Sequence, residues 1–159
     1  MEDKRHPHEA LIERFYSAFQ RRDAEAMVAC YHPDIEFSDD VFGRLKGAEA
    51  RAMWRMLCAR GKDLRVEYRD ITANDNSGSA HWEATYTFSG SGRSVHNVIE
   101  ARFEFSDGLI SRHHDRFDFA RWAGQALGLP GKLLGRTSFF RNAVRRKTRT
   151  ALDEFLKNT

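Results

Sequence analysis

Cysteine is scarce in this 159-residue chain. Only Cys30 and Cys58 occur, which argues against a disulfide scaffold, and both fall in half-apolar stretches that read as helix, so two buried thiols are expected. No apolar run is long enough to span a bilayer, and the charged start MEDKRHPHE lacks the apolar stretch of a secretory signal. The expectation is a cytoplasmic protein with no membrane span. Metal-ligand spacing is also missing: His6 and His8 lie in a terminal segment, while His113 and His114 are adjacent on a predicted strand and point to opposite faces. No metal or other cofactor is therefore expected. Repeats and low-complexity segments are absent too.

Aromatic side chains are plentiful, with 12 Phe, 4 Tyr and 3 Trp, and such side chains can fill a sheet-lined interior or wall an apolar pocket. Charge is unevenly placed. From Arg121 to Thr159, nine Lys and Arg stand against Asp153 and Glu154, a net +7, so the preceding 120 residues carry −4 of the overall +3. The basic run Arg145-Arg146-Lys147-x-Arg149 could meet phosphates or an anionic membrane. No recognition motif accompanies it, which argues against nucleic-acid binding and favours a solvated helix face.

Residues 8 to 22 place Leu11, Ile12, Phe15, Ala18 and Phe19 on one helical face. Asp23 should cap a second helix, Ala24 to Tyr31, ended by His32-Pro33-Asp34. Ile35 and Phe37 read as a short strand, followed from Asp39 by a loop. A third helix is expected from Gly47 through Arg60, with Gly61 as its C-terminal cap. The period then changes to two. Runs from Leu64, from His81 and from Arg93 to Phe105, then Leu109 to Phe119, are separated by Asn- and Gly-rich turns and predict an antiparallel meander. After it come a short helix (Trp122 to Leu127), a break at Gly128-Leu129-Pro130-Gly131 and a long helix (Thr137 to Leu156). The fold class is α+β, with N-terminal helices on a strongly curved, mostly antiparallel sheet and a C-terminal helical extension. The boundaries expected are 1–119 for the cone and 120–159 for a basic extension that packs on it through Trp122, Leu127, Leu133, Leu134, Phe139 and Phe140.

The pattern Ile12-Glu13-Arg14-Phe15-Tyr16-Ser17-Ala18-Phe19, then Arg22-Asp23-Ala24-Glu25, Tyr31-His32-Pro33-Asp34-Ile35-Glu36-Phe37, and Phe103 to Ile110 leading into His113 and Asp115 resembles the nuclear transport factor 2-like superfamily. That superfamily includes SnoaL-like polyketide cyclases, ketosteroid isomerases and limonene epoxide hydrolases. The likeness covers roughly residues 8 to 119, a span typical of one domain. It implies an open cone around one pocket for a small apolar ligand, and often a homodimer built by packing sheets; outward Thr85, Thr87 and His81 mark the face available for that. It does not fix an activity, because one fold hosts many.

By that resemblance Asp39 stands where ketosteroid isomerases carry their general base, and a partly desolvated carboxylate suits proton abstraction beside a carbonyl. The isomerase oxyanion donors are a tyrosine and a protonated aspartic acid, but the matching positions hold Phe15 and Ala101, which argues against steroid chemistry. Asp39 could equally be a turn residue beside Asp40. Asp115 stands where SnoaL-like cyclases keep an acid/base aspartate. Strand alternation puts His113 and Phe117 on its face, so Asp115 and His113 form a candidate acid/base pair, or a structural pair with a neighbouring strand or Arg116. Tyr16, Trp82, Tyr86 and Asn97 could offer hydrogen bonds to a ligand, with Phe15, Phe19 and Phe117 as apolar contacts. The aromatics are explained equally by core packing. Two function classes follow: a cofactor-independent isomerase, cyclase or epoxide hydrolase using acid/base carboxylates on an apolar oxygenated ligand, or a noncatalytic ligand-binding or protein-interaction module.

Overall fold

The computed structural model describes residues 5–158. Helix α1 (Pro7–Gln20) buries Leu11, Ile12, Phe15, Tyr16, Ala18 and Phe19, the stripe its spacing dictates. Asp23 caps α2 (Ala24–Val28) by accepting from the Ala26 N–H at 3.1 Å. This second helix is shorter than expected. Tyr31, placed by the sequence reading at its end, instead opens strand β1 (Tyr31–Asp39), which runs straight through His32-Pro33-Asp34. Proline is tolerated there because the pairing of β1 with the last strand is irregular between Tyr31 and Glu36, so no ladder bond is required of it.

The loop expected after Asp39 holds a further strand, β2 (Gly43–Lys46), antiparallel to β1. Its four residues bury only Leu45, too little for a period of two to show. The connecting turn is built by Asp39, whose Oδ1 accepts from the Val41 N–H at 2.9 Å and the Phe42 N–H at 2.6 Å. Gly43 then takes φ 73°, a left-handed conformation that glycine adopts without penalty. Helix α3 (Ala48–Arg60) follows.

Strands β3 (Arg65–Ala73), β4 (Ser77–Phe88), β5 (Arg93–Ser106) and β6 (Leu109–Arg116) form the meander, and the sheet order is β2-β1-β6-β5-β4-β3. Only the β1–β6 pairing is parallel. The sheet is curved and unclosed, and its inner face carries Trp82, Ala84, Asn97, Ile99, Ala101 and Phe103. One irregularity positions the candidate site. Phe105 pairs with Ile110 but Glu104 with Arg112, so Ser111 is an unpaired extra residue. That bulge resets the alternation, which is why Ile110, His113 and Asp115 are all buried.

Strand β6 stops at Arg116, three residues before the expected end, because Asp118 caps α4 (Phe119–Leu127) through the Arg121 N–H at 3.0 Å. The break expected at 128–131 narrows to Gly128. Pro130 lies in the first turn of α5 (Leu129–Leu134), where no N–H is needed. Helix α6 (Ser138–Lys157) lies against the body of the fold: Leu152 is fully buried in the main core, Thr148 Oγ1 donates to Val41 O at 2.7 Å, and Arg145 Nε donates to Asp40 O at 3.1 Å. Trp122 joins a second small core with Val41, Val95 and Phe119. Leu133, Leu134 and Phe139, expected to help this packing, do not: they are 71%, 45% and 77% exposed. Cys30 and Cys58 are buried free thiols. Among the described residues no helix is long and apolar enough to cross a membrane.

Candidate active site

The inner face of the sheet, α3 and α6 enclose a pocket of about 330 Å³. Its walls are mostly apolar, with Phe19, Trp54, Trp82, Phe88, Phe117 and Trp122 supplying aromatic surface. Four polar groups on the wall matter chemically: Asp39, Tyr86, Asn97 and Asp115. The two aspartates thus share one cavity, although they come from strand ends far apart in sequence. The parallel β1–β6 pairing brings those strands side by side.

Asp115 is 4% exposed and closes a buried chain of hydrogen bonds. Its Oδ1 accepts from Trp82 Nε1 at 3.2 Å and lies 2.9 Å from His113 Nε2. His113 Nδ1 lies 2.7 Å from the Tyr31 hydroxyl, which accepts from Trp54 Nε1 at 2.8 Å. The direction follows from the ends. An indole can only donate, so Trp54 occupies a lone pair of Tyr31, whose proton is then directed to Nδ1. A neutral imidazole accepting at Nδ1 carries its hydrogen at Nε2 and donates it to Asp115. Oδ1 of Asp115 is thereby committed twice, whereas Oδ2 has no protein partner among the described residues.

His113 was expected to face the cavity beside Asp115. It is fully buried and does not line the pocket, so it reaches a ligand only through Asp115. Its ring is held by Phe103 at 4.5 Å, Phe37 at 5.1 Å, Phe15 at 5.5 Å and Trp54 at 5.9 Å between centroids. Phe15 is accordingly part of that packing and not a wall of the pocket. Tyr16 also departs from expectation. Its ring packs on Trp82 and Phe103, its hydroxyl is buried with no protein partner among the described residues, and burial, then the charge of Asp115, pushes its pKa well above the usual tyrosine value. Asp115 bonds to Trp82 and His113 and not to Arg116.

Asp39 builds the turn and also lines the pocket. It is half-buried, and desolvation pushes its carboxyl from 3.8 up to about 7, against the opposing pull of the Phe42 N–H and with a further push from the charge of Asp115. Burial also raises the Tyr86 phenol, whose oxygen accepts from Trp122 Nε1 at 2.9 Å. That leaves the Tyr86 proton available to the pocket. Asn97 is 8% exposed, and its amide has no protein partner among the described residues, an arrangement a ligand or water would complete. Phe19, Trp82 and Phe117 line the pocket.

Sequence reasoning missed Tyr31, Trp54 and Trp122, and it missed the contribution of α6, whose Lys147, Thr148 and Ala151 also line the cavity. A signal for α6 existed: its stripe of Phe140, Val144, Thr148, Leu152 and Phe155 requires an apolar partner, and the pocket rim is that partner. Nothing local marked Tyr31, because its role depends on a hydrogen bond to a residue 82 positions away. Among the described residues no group of three or more His, Cys, Asp or Glu is placed to hold a metal ion; His114 faces away and bonds to Ser38 Oγ at 2.7 Å.

Three solved structures share this architecture. A proposed polyketide cyclase from Xanthomonas campestris pv. campestris is 27% identical with a TM-score of 0.61, over 77% of this chain and 98% of that one. An NTF2-like protein of unknown function from Burkholderia pseudomallei is 18% identical with a TM-score of 0.66, over 77% and 98%. TerC, co-crystallized with polyporic acid, is 20% identical with a TM-score of 0.60, over 71% and 92%. No curated protein matches the chain in sequence. Residues 12–113 match the family model of the SnoaL-like domain, and with that span, most of α1 through β6, the chain belongs to the SnoaL-like domain family.

Proposed function

We propose that the chain is a cofactor-independent acid/base enzyme acting on an apolar, oxygen-bearing small molecule, in the range of isomerase, cyclase and epoxide hydrolase chemistry. The observation that carries this is the state of Asp115: one oxygen is fixed by two N–H donors, and the other is unpartnered in an apolar cavity shared with Asp39. Paired carboxyl groups in different environments are the usual source of a separate acid and base. In the isomerase or cyclase case, Asp115 Oδ2 takes a proton from carbon next to a ligand carbonyl. The Asn97 amide and Tyr86 hydroxyl hydrogen-bond the oxygen that gains charge, and Asp39, with its pKa near 7, returns a proton. His113 and Tyr31 are positioning residues, holding Oδ1 so that Oδ2 faces the ligand. The description of the Xanthomonas relative as a proposed polyketide cyclase and the ligand of TerC agree with a polycyclic or aromatic oxygenated substrate.

A noncatalytic ligand-binding module is the second reading, favoured by Phe15 and Ala101 at the positions of the isomerase oxyanion donors. In either case residues 120–159 serve as the cover of a pocket domain spanning 1–119, since Trp122 and Thr148 form part of its wall. We also propose a homodimer through the outer face of the sheet, where His81 and His96 bridge to Glu83; a strictly monomeric mass by light scattering at micromolar concentration would reject it.

The test of the site is Asp115→Asn, which keeps the shape and removes the proton acceptor. Against a panel of aromatic ketones, quinones and epoxides, turnover is expected to fall about a hundredfold or more, the contribution typical of a positioned acid or base. Affinity should be nearly unchanged. Ligand binding with no turnover by the unmodified protein would leave the binding module as the correct reading, whereas equal turnover by the variant would reject Asp115 as the acid/base.

A further inference from the structure

Among the described residues, the large apolar side chains most exposed to solvent are confined to one corner. Leu129, Leu133, Leu134 and Phe139 are 66%, 71%, 45% and 77% exposed and fall within eleven residues, on α5 and the first turn of α6. Their outward direction is built in. Gly131 and Gly135 occupy the opposite side of the α5 segment and press on α4, where a Cβ at position 131 would stand 2.0 Å from Ala123 O. The glycines therefore permit the close helix contact, and Leu129 and Leu133, one turn apart, face away from it. Core packing does not account for these leucines.

Cationic residues lie beside them in the chain and line the neighbouring groove. Between Asp118 and Asp153 the sequence contains eight Lys and Arg and no Asp or Glu. Arg93, Arg121, Lys132 and Arg136 border a single groove beside α5, where the one acidic residue, Asp118, is engaged as the cap of α4. A second copy docking on this corner about a two-fold axis would bring like charges together. A nucleic acid would meet the cations but leave three leucines wet. An anionic lipid surface satisfies both features: phosphate headgroups for the cations and the acyl boundary for the leucines and Phe139.

We infer that the α5–α6 corner is a membrane-docking surface that binds peripherally to anionic lipid, with Leu129, Leu133, Leu134 and Phe139 entering the interface and Lys132 and Arg136 meeting headgroup phosphates. Helix α6 starts at this corner and goes on to form part of the pocket wall through Thr148 and Ala151. The surface thus lies on the same helix as the cavity for the apolar ligand.

The experiment is co-sedimentation of the full chain with vesicles of phosphatidylcholine alone and of an equimolar phosphatidylcholine and phosphatidylglycerol mixture. Binding is expected only to the mixed vesicles. The double variants Leu133→Ser with Phe139→Ser, and Lys132→Glu with Arg136→Glu, should each weaken it by about tenfold or more. Circular dichroism should be unchanged, because none of these side chains belongs to the core. Equal binding to both vesicle types, no binding to either, or unimpaired binding by the first variant would overturn the inference. So would preferential binding to duplex DNA, or a dimer that the first variant converts to monomer, which would assign the corner to a second copy.

Discussion

The narrow base of the cone and the pocket above it are built from the same residue types, aromatic rings with a few polar groups, and they differ in how those groups are spent. At the base, Trp54, Tyr31 and His113 satisfy one another in sequence, ending on one oxygen of Asp115. In the pocket, among the described residues, Asn97 has no protein partner, Tyr86 accepts without a protein acceptor for its own proton, and Asp39 and Asp115 each keep an oxygen without a protein partner. Saturated polar networks rigidify a core, whereas unsaturated polar groups in an apolar cavity are open to a ligand. Asp115 belongs to both regions and joins them.

Breaking the saturated side should have the largest effect on stability. Tyr31→Phe strands the Trp54 indole N–H and His113 Nδ1 in a buried site, and each stranded group costs about 1–3 kcal/mol. The expected loss is about 3 kcal/mol, read as a lower urea midpoint with an unchanged slope. Turnover should fall as well, through a less firmly held Asp115. A Tyr31→Phe protein as stable as its parent would mean that the chain of bonds is not formed in solution.

The two regions were unequally legible in the sequence. The pocket end followed from strand alternation, in which every second residue shares a face, as Trp82 does with Ala84 and Asn97 with Ile99, while Asp39 and Asp115 were singled out by the family resemblance. The base was hidden. Tyr31 was read as the end of a helix because His32-Pro33 is a strong local stop signal, and the β1–β6 pairing that places Tyr31 beside His113 is made by residues far apart in the chain. The same limitation put Phe15 and Tyr16 in the pocket. Helical periodicity places both on the buried side of α1 but does not say which part of that side meets the base and which the cavity. Leu133 and Phe139 depart from expectation for the opposite reason: apolar character alone does not require burial.

A smaller and pH-dependent effect should come from the unsaturated side. Asp39 ionises near 3.8 when unfolded and near 7 when folded, so between those values the folded state holds a proton that the unfolded state has released. Its contribution to stability therefore falls as pH rises from about 4 to 7 and stays low above. The shift corresponds to at most about 4 kcal/mol, and water reaching this half-buried group reduces the expectation to about 2 kcal/mol. Asp39→Asn keeps the Oδ1 acceptor for Val41 and Phe42 while removing the charge. It should melt about 6 °C higher than its parent at pH 8 and at the same temperature near pH 4. An equal gain at both values would mean that packing, and not charge, accounts for it.

The smallest expected effect tests the exception within the saturated region. Tyr16 lies at the base with a fully buried hydroxyl that has no protein partner among the described residues, so no protein group replaces its bond to bulk solvent. Tyr16→Phe removes that unsatisfied group and retains the ring that packs on Trp82 and Phe103. Where both the group and its obligation disappear, the change is neutral or favourable. The melting temperature should stay level or rise, by an amount equivalent to no more than about 1 kcal/mol, and ligand affinity should not change because Tyr16 does not line the pocket. A loss of stability of that size or more would show that the hydroxyl is bonded in solution, to a buried water or to the free oxygen of Asp115. Weaker ligand binding would instead move Tyr16 from the saturated base to the open pocket.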